Sequence, residues 1–482
     1  MNSLHKGEPW KKRLGRVWGF KMKFTNYKLN DLGKIITGKT PPSKVQNAFT
    51  QVGIPFVTPS DMNGGRFVEK TNRNLSDEGL NVVRNNLIPE NSVAVSCIGS
   101  DMGKAIIIKT TSVTNQQINS IIVNEKFNYL YIYYVLSTKQ QELKNIASGS
   151  ATPILNKTQF GNIEIKLPDR KYQDKVSNIL DKFDNKIELN TQTNQTLEQI
   201  AQAIFKHWFI DFAPVHAKAN ALARGETIEQ AELAAMACLS GKTVEKITAL
   251  KTQDPTTYHQ LQQTAAAFPS EFVESGMGLV PKGWEVTTIG NIADIIKGKS
   301  YKSSELEPSD TALVTLKSFQ RGGGYRLDGL KEFSGKYKPE QEVYVGELII
   351  AYTDVTQAAD IIGKPAMVMG NKKYKHLVIS LDVGVVRPKD KDLKYFLYCL
   401  AMTENFQQHT KSFCSGTTVL HLGKNAIPSF QFIMPDTQLL KELNKRLEPI
   451  FTKININIQE NESLSETRDI LLPKLLNGEI EV

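Results

Sequence analysis

The segment Gly33 to Thr40 reads GKIITGKT and satisfies G-x-x-x-x-G-K-[ST], the spacing of a loop that cradles nucleotide phosphates. In such a loop, backbone amides and the first turn of a following helix hold the phosphates while the lysine reaches the terminal ones. That chemistry requires a helix directly after the loop. Here Pro41 and Pro42 follow, then a polar stretch with no helical apolar stripe. A P-loop NTPase is thus the sharpest rival reading, and its own context argues against it. Base methylation would need Asn/Asp-Pro-Pro-aromatic to grip an extruded base, together with a Gly-rich cofactor loop. The run Thr40-Pro41-Pro42-Ser43 has neither the amide nor the aromatic. Phosphodiester cleavage would need clustered carboxylates with a lysine, whereas Asp61, Asp101, Asp354 and Asp360 stand apart and read as turn residues. The seven histidines show no metal-ligand spacing. The four cysteines (Cys97, Cys238, Cys399, Cys414) form no C-x-x-C pair, which fits a reducing cytoplasm and argues against disulfides and zinc ribbons.

With no catalytic constellation in view, organisation carries the reading. The 482 residues suffice for two or more domains, and no apolar run reaches the roughly 20 residues that span a bilayer. The formal charge is +9, of which residues 1–21 supply +5 through six basic side chains against Glu8 alone. Met22 opens a cleaner start, so residues 1–21 read as an extension. The remaining +4 hints at nucleic acid only weakly.

The chain is a duplicated unit. "LNDLGKIITGKT" from Leu29 resembles "VTTIGNIADIIKGKS" from Val286, and "IPFVTPSDMNGG" from Ile54 resembles "TALVTLKSFQRGGG" from Thr311. "ENSVAVSCIGSDMGKAIII" from Glu90 resembles "VGELIIAYTDVTQAADIIGKPAMV" from Val345. "SGSATPILNKTQFGNIEIKLPD" from Ser148 aligns without gaps on "SGTTVLHLGKNAIPSFQFIMPD" from Ser415, an offset of 267 residues. Short β-branched runs between Gly/Pro turns predict a strand-rich domain in each copy, each closed by a long helix: an α+β chain. The boundaries expected are 22–168 for the first recognition domain, 169–212 for its helix, 283–435 for the second domain and 436–482 for the second helix. Residues 213–282 between them are Ala- and Gln-rich, with a capping-box spacing at Thr227 and Gln230, and predict a helical linker and partner surface.

The two helices share a register. Val176, Leu180, Phe183, Ile187, Asn190, Asn194, Leu197, Ala201, Ile204 and Trp208 fall at 3-4 spacing, and 267 residues later stand Leu443, Leu447, Ile450, Ile454, Asn457, Asn461, Leu464, Arg468, Leu471 and Leu475. Asparagine in an apolar seam costs stability but fixes register, because it seeks a polar partner. An antiparallel coiled coil about a pseudo-two-fold axis sets Asn190 against Asn461 and Asn194 against Asn457. It leaves one poor layer, Phe183 on Arg468, and Pro449 and Pro473 should kink or shorten the second helix. Such a pair, ~60 Å long, reads as a rigid ruler between the copies.

Two G-K-[ST] openings, a G-[DE]-hydrophobic segment and two S-G-[ST] loops, each copy ending in "LPD" or "MPD" and a long helix, resemble the specificity subunit of type I restriction–modification enzymes. "FPSEFVESGMGLVPKGWEV" and the tail "LLPKLLNGEIEV" add to the resemblance, which covers nearly the whole chain from Met22. It implies a non-catalytic, sequence-specific reader of double-stranded DNA in the bacterial or archaeal cytoplasm, one half of a bipartite site falling to each recognition domain. It also implies two methyltransferase (modification) subunits and motor/restriction subunits as partners. The chain itself would hold no cofactor or metal, with S-adenosylmethionine, ATP and Mg in the partner subunits. A scaffold subunit that does not bind DNA is the other alternative.

Loop residues able to bond to bases or phosphates are then Lys39, Ser60, Asp61, Lys104, Ser148, Ser150 and Thr152 in the first copy. In the second they are Lys299, Lys317, Gln320, Arg321, Thr353, Gln357, Ser415, Thr417 and Thr418.

Overall fold

The computed structural model describes residues 23–63, 65–68, 70–99, 101–147, 154–354, 359–417 and 419–482. The extension and the candidates Ser148, Ser150, Thr152, Gln357 and Thr418 lie outside them. Two compact units form: the described residues up to Lys186 with Leu464–Val482, and Ile187–Ser463. Both long helices contribute to both units.

Each unit holds one copy of the repeat, and the copies share a topology. In the first, Gly33–Thr37, Ile118–Val123, Val93–Ser96 and Ala105–Ile107 pair antiparallel in that order. In the second, Ala293–Lys297, Val383–Pro388, Leu348–Ala351 and Pro365–Met367 do the same. A second sheet in each copy contains a parallel pair, Ile54–Val57 with Ser112–Thr114 and Thr311–Val314 with His376–Ile379. Runs such as Val93–Ser96 and Leu348–Ala351 are buried at every position, because helices cover one face and the second sheet the other. The first strand of each domain pairs with its last, Thr25–Lys28 with Glu164–Leu167 and Glu285–Thr288 with Gln431–Met434. That closure delivers the chain directly into a long helix.

The linker is helical, with Ala213–Ala223, Ile228–Ser240, Val244–Gln253 and Pro255–Ala266 packed on Ala235, Met236, Ile247, Tyr258, Leu261 and Ala265. The capping box forms: the Gln230 amide donates to the Thr227 hydroxyl, and the Thr227 amide donates to Gln230 Oε1.

The long helices are Arg170–Phe205, extended by a π turn at Lys206–Ile210, and Thr437–Leu476. They run antiparallel with the asparagines in register. Asn190 Nδ2 donates to Asn461 Oδ1 at 2.9 Å, and Asn457 Nδ2 donates to Asn194 Oδ1 at 2.8 Å. Apolar layers flank this polar centre, with Leu197, Ala201 and Phe205 sharing a core with Leu447 and Ile454. In the other unit, Val176 and Leu180 pack with Leu471 and Leu475.

The prolines do not break the second helix, and the expectation for Arg468 is corrected. The helix runs unbroken through Pro449 and past Pro473. Each proline removes one backbone bond, about 3 kcal/mol in a free helix, but burial of Leu443, Leu447, Phe451 and Ile454 at roughly 1.5–3 kcal/mol apiece holds the helix across Pro449. Nor is the Arg468 layer poor. Arg468 reaches past the seam to Asp184, where one guanidinium nitrogen lies 2.6 Å from Oδ1. Asp184 Oδ2 in turn accepts the Tyr134 hydroxyl at 2.7 Å, and Arg66 stands 3.8 Å from it while bonding Asp181 at 2.6 Å. Burial and the Asp184 carboxylate hold the Tyr134 hydroxyl far above the usual tyrosine range, so it donates at any physiological pH.

Candidate nucleic-acid interface

In the first copy, four chain segments meet at one end of the sheets. The Lys39 amide donates to the Thr114 carbonyl at 2.9 Å, the Asn115 amide to Val57 at 2.9 Å, and the Cys97 amide to Gln117 at 2.7 Å. The Ser96 amide bonds the Lys104 carbonyl at 2.9 Å. Lys39, Ser60, Asp61 and Lys104 are thereby gathered around the 114–117 turn. The second copy repeats this scaffold bond for bond. Lys299 donates to Ile379 at 2.8 Å, Ser380 to Val314 at 3.0 Å, Tyr352 to Asp382 at 2.7 Å and Ala351 to Lys364 at 3.1 Å. Lys299 and Lys317 occupy the corresponding loops, and Gln320 and Arg321 enter a turn through Gly322, Gly323 and Gly324, all at positive φ.

The candidates differ in what their side chains can do. Lys39, Ser60, Lys317, Gln320, Arg321, Ser415 and Thr417 are exposed. Lys299 is half-buried, 3.9 Å from Glu305. Asp61 is committed to its turn: its carboxylate accepts from the Thr58 amide and hydroxyl (2.8 and 2.6 Å) and from the Asn72 amide (3.0 Å). Thr353 points inward, 5% exposed, and its hydroxyl donates to Asp382. Asp354 is buried and accepts the Ile361 and Ile362 amides, so the two read as sheet-end supports.

The duplicated Gly-Lys motif has a structural cause. A Cβ on Gly38 would lie 2.0 Å from the Asn115 carbonyl oxygen, and one on Gly298 would lie 2.1 Å from that of Ser380. Both glycines let one backbone lie on another, and no helix follows Lys39. The amides a phosphate would need are spent on sheet bonds. We expect Gly298→Ala to cost about 1–3 kcal/mol in a denaturant titration, as overpacking does. By the same argument calorimetry should detect no ATP binding by the chain, with or without Lys39→Ala. Stoichiometric binding lost in that variant would revive the phosphate-loop reading.

Among the described residues no group of three or more His, Cys, Asp or Glu could hold a metal, and no helix is long and apolar enough to cross a membrane. Cys97 is buried, and burial pushes its thiol up to about 11, leaving it protonated and unreactive.

Sequence reasoning passed over several residues at these ends. Gln116 is exposed on the 114–117 turn and accepts the Thr40 hydroxyl at 2.6 Å. Lys364, the counterpart of Lys104, and Lys411, at the end of the helix Glu404–Ser412, were also missed. For Lys411 the signal was present: Gln140-Gln141-x-x-Lys144 recurs as Gln407-Gln408-x-x-Lys411 at the same offset of 267.

The family profile described as Type I restriction modification DNA specificity domain matches residues 21–199 and 281–466. The Type I restriction enzyme HindI specificity subunit of Haemophilus influenzae is 35% identical over 369 residues, 73% of this chain and 77% of that protein. The MjaIX specificity subunit of Methanocaldococcus jannaschii is 25% identical over 468 residues, 94% of this chain and 93% of its own length. Among solved structures, a type I S subunit from M. genitalium superposes with a TM-score of 0.48 at 15% identity, covering 96% of this chain and 98% of that one.

Proposed function

The chain belongs to the type I restriction–modification DNA specificity family, and from that premise we propose that it reads a bipartite duplex site, one half per recognition domain. Recognition is its whole task; it catalyses nothing. Two methyltransferase subunits dock on it and supply base methylation with S-adenosylmethionine, and motor/restriction subunits supply ATP- and Mg-dependent cleavage. The assembly works in the cytoplasm.

One observation carries this reading. The same hydrogen-bonded scaffold is built twice, yet its matched turns carry different side chains: Asn115, Gln116 and Gln117 in one copy, Ser380, Leu381 and Asp382 in the other. A conserved frame with altered donors and acceptors is what two readers of different sequences need, since base edges are told apart by their donor and acceptor patterns. Replacing residues 284–435 by the corresponding domain of a relative should change one half of the recognised site and leave the other intact. Altered recognition in both halves would mean that the copies form one composite reading surface. A gel shift on random duplex separates the reader from a scaffold: the reader binds, and loses affinity steeply with salt.

A further inference from the structure

We propose that Lys364 and Lys411 in the second copy, echoed by Lys104 and Lys144 in the first, are a duplicated clamp for the DNA phosphate backbone. The inference rests on the reading that each copy binds duplex DNA, and names where each grips it.

Lys364 stands at the foot of the connection between Leu348–Ala351 and Pro365–Met367, opposite the last residue of the first strand. The Gly363 amide donates to the Ala351 carbonyl at 2.8 Å and Gly363 adopts φ 74°, a backbone state that leads the chain into Lys364 and the second strand. In the first copy, Gly103 donates to Ser96 at 2.7 Å with φ 82°, and Lys104 follows. A side-chain amide on the neighbouring helix fastens each turn. Gln407 Nε2 donates to the Gly363 carbonyl at 2.8 Å, and Gln140 Nε2 to the Met102 carbonyl at 3.1 Å. The two glutamines are 267 residues apart in sequence, as are the lysines four residues beyond them. Each clamp is therefore one lysine beside a strand end and one on the helix bolted to that connection, a few residues before Ser148 or Ser415 in sequence. The fastening recurs with its acceptor shifted by one residue, although the surrounding side chains differ.

The charges of the second copy need an anion. Partial burial holds the Lys364 amine below the usual range, the Lys411 charge adds to that, and Asp360 opposes both. Neither ammonium makes a hydrogen bond or ion pair among the described residues. Two like charges on segments joined by the Gln407–Gly363 bond are a cost that a phosphate oxygen between them removes. Lysine serves this purpose as a point charge, contributing affinity without reading sequence.

The test is a salt titration of the full chain on a random duplex. Binding constants should fall with salt with a slope of about −0.9 for each phosphate neutralised. Lys364→Ala with Lys411→Ala should make that slope shallower by about 1.8, so that the loss of affinity between 50 and 200 mM salt shrinks roughly twelve-fold. Lys411→Ala alone, at an exposed position that cannot disturb the fold, should remove about 0.9. Lys242→Ala with Lys246→Ala, exposed in the linker, should leave the slope unchanged. Steep wild-type binding whose slope survives both clamp variants would overturn the clamp and leave the DNA reader standing. A wild-type chain without salt-dependent binding would overturn the reader itself.

Discussion

Asp184→Ala is expected to destabilise the unit around the first recognition domain by about 3–5 kcal/mol, enough to unfold much of it. Asp184 is 6% exposed and serves three partners at once: the Arg468 guanidinium, the Tyr134 hydroxyl and, more distantly, Arg66. Alanine removes the carboxylate that Tyr134 bonds and the shorter of Arg468's two ion pairs, and it takes a second negative charge from beside Arg66, whose side chain is 4% exposed and which keeps Asp181. Losing one member of a buried ionic network costs more than the network's net worth, because the remaining charges are already stripped of water. Asp184→Asn retains an acceptor and should cost less. Chemical denaturation of both variants measures the difference, and a loss under ~1 kcal/mol for the alanine would show that these groups regain water.

A two-residue insertion between Gln192 and Thr193 should be at least as damaging to the other unit. At 3.6 residues per turn it rotates everything beyond it by about 200°. Ala201, Phe205 and Trp208, each at most 3% exposed, would then face water. The two large side chains alone account for roughly 3–6 kcal/mol, and Asn194 would leave Asn457, which is 1% exposed, without its acceptor. A seven-residue insertion in each helix restores the seam and should melt near the unmodified chain. A two-residue variant that melts within a few degrees of the parent would mean the seam does not hold this unit together.

The helix register was legible because a polar residue in an apolar seam is conspicuous, and two asparagines at one offset in both copies leave a single antiparallel solution. The sheet topology was legible only as a repeat, since pairing order between short strands such as Val93–Ser96 and Ala105–Ile107 depends on contacts that no local pattern encodes. Arg468 was misjudged because its partner, Asp184, lies one residue off the seam, and a long side chain need not stay in its own layer. Thr353 lies in a polar run that reads as loop, yet Asp382 draws its hydroxyl inward. Gly38 suggested phosphate chemistry because close backbone approach selects the same residue in both settings. Lys364 and Lys411 were within reach: Lys364 stands opposite Lys104 in an aligned segment, and the repeated Gln-Gln-x-x-Lys spacing marks Lys411 but lies between the segments whose similarity was easiest to see.

The claim that each copy reads its own half-site is tested most directly by mapping modified bases in DNA from cells carrying this chain with its methyltransferase partners. The account predicts a split motif: two short specified blocks, separated by a fixed number of unspecified base pairs, with a modified base in each. A single uninterrupted motif, or modification with no sequence preference, would contradict it.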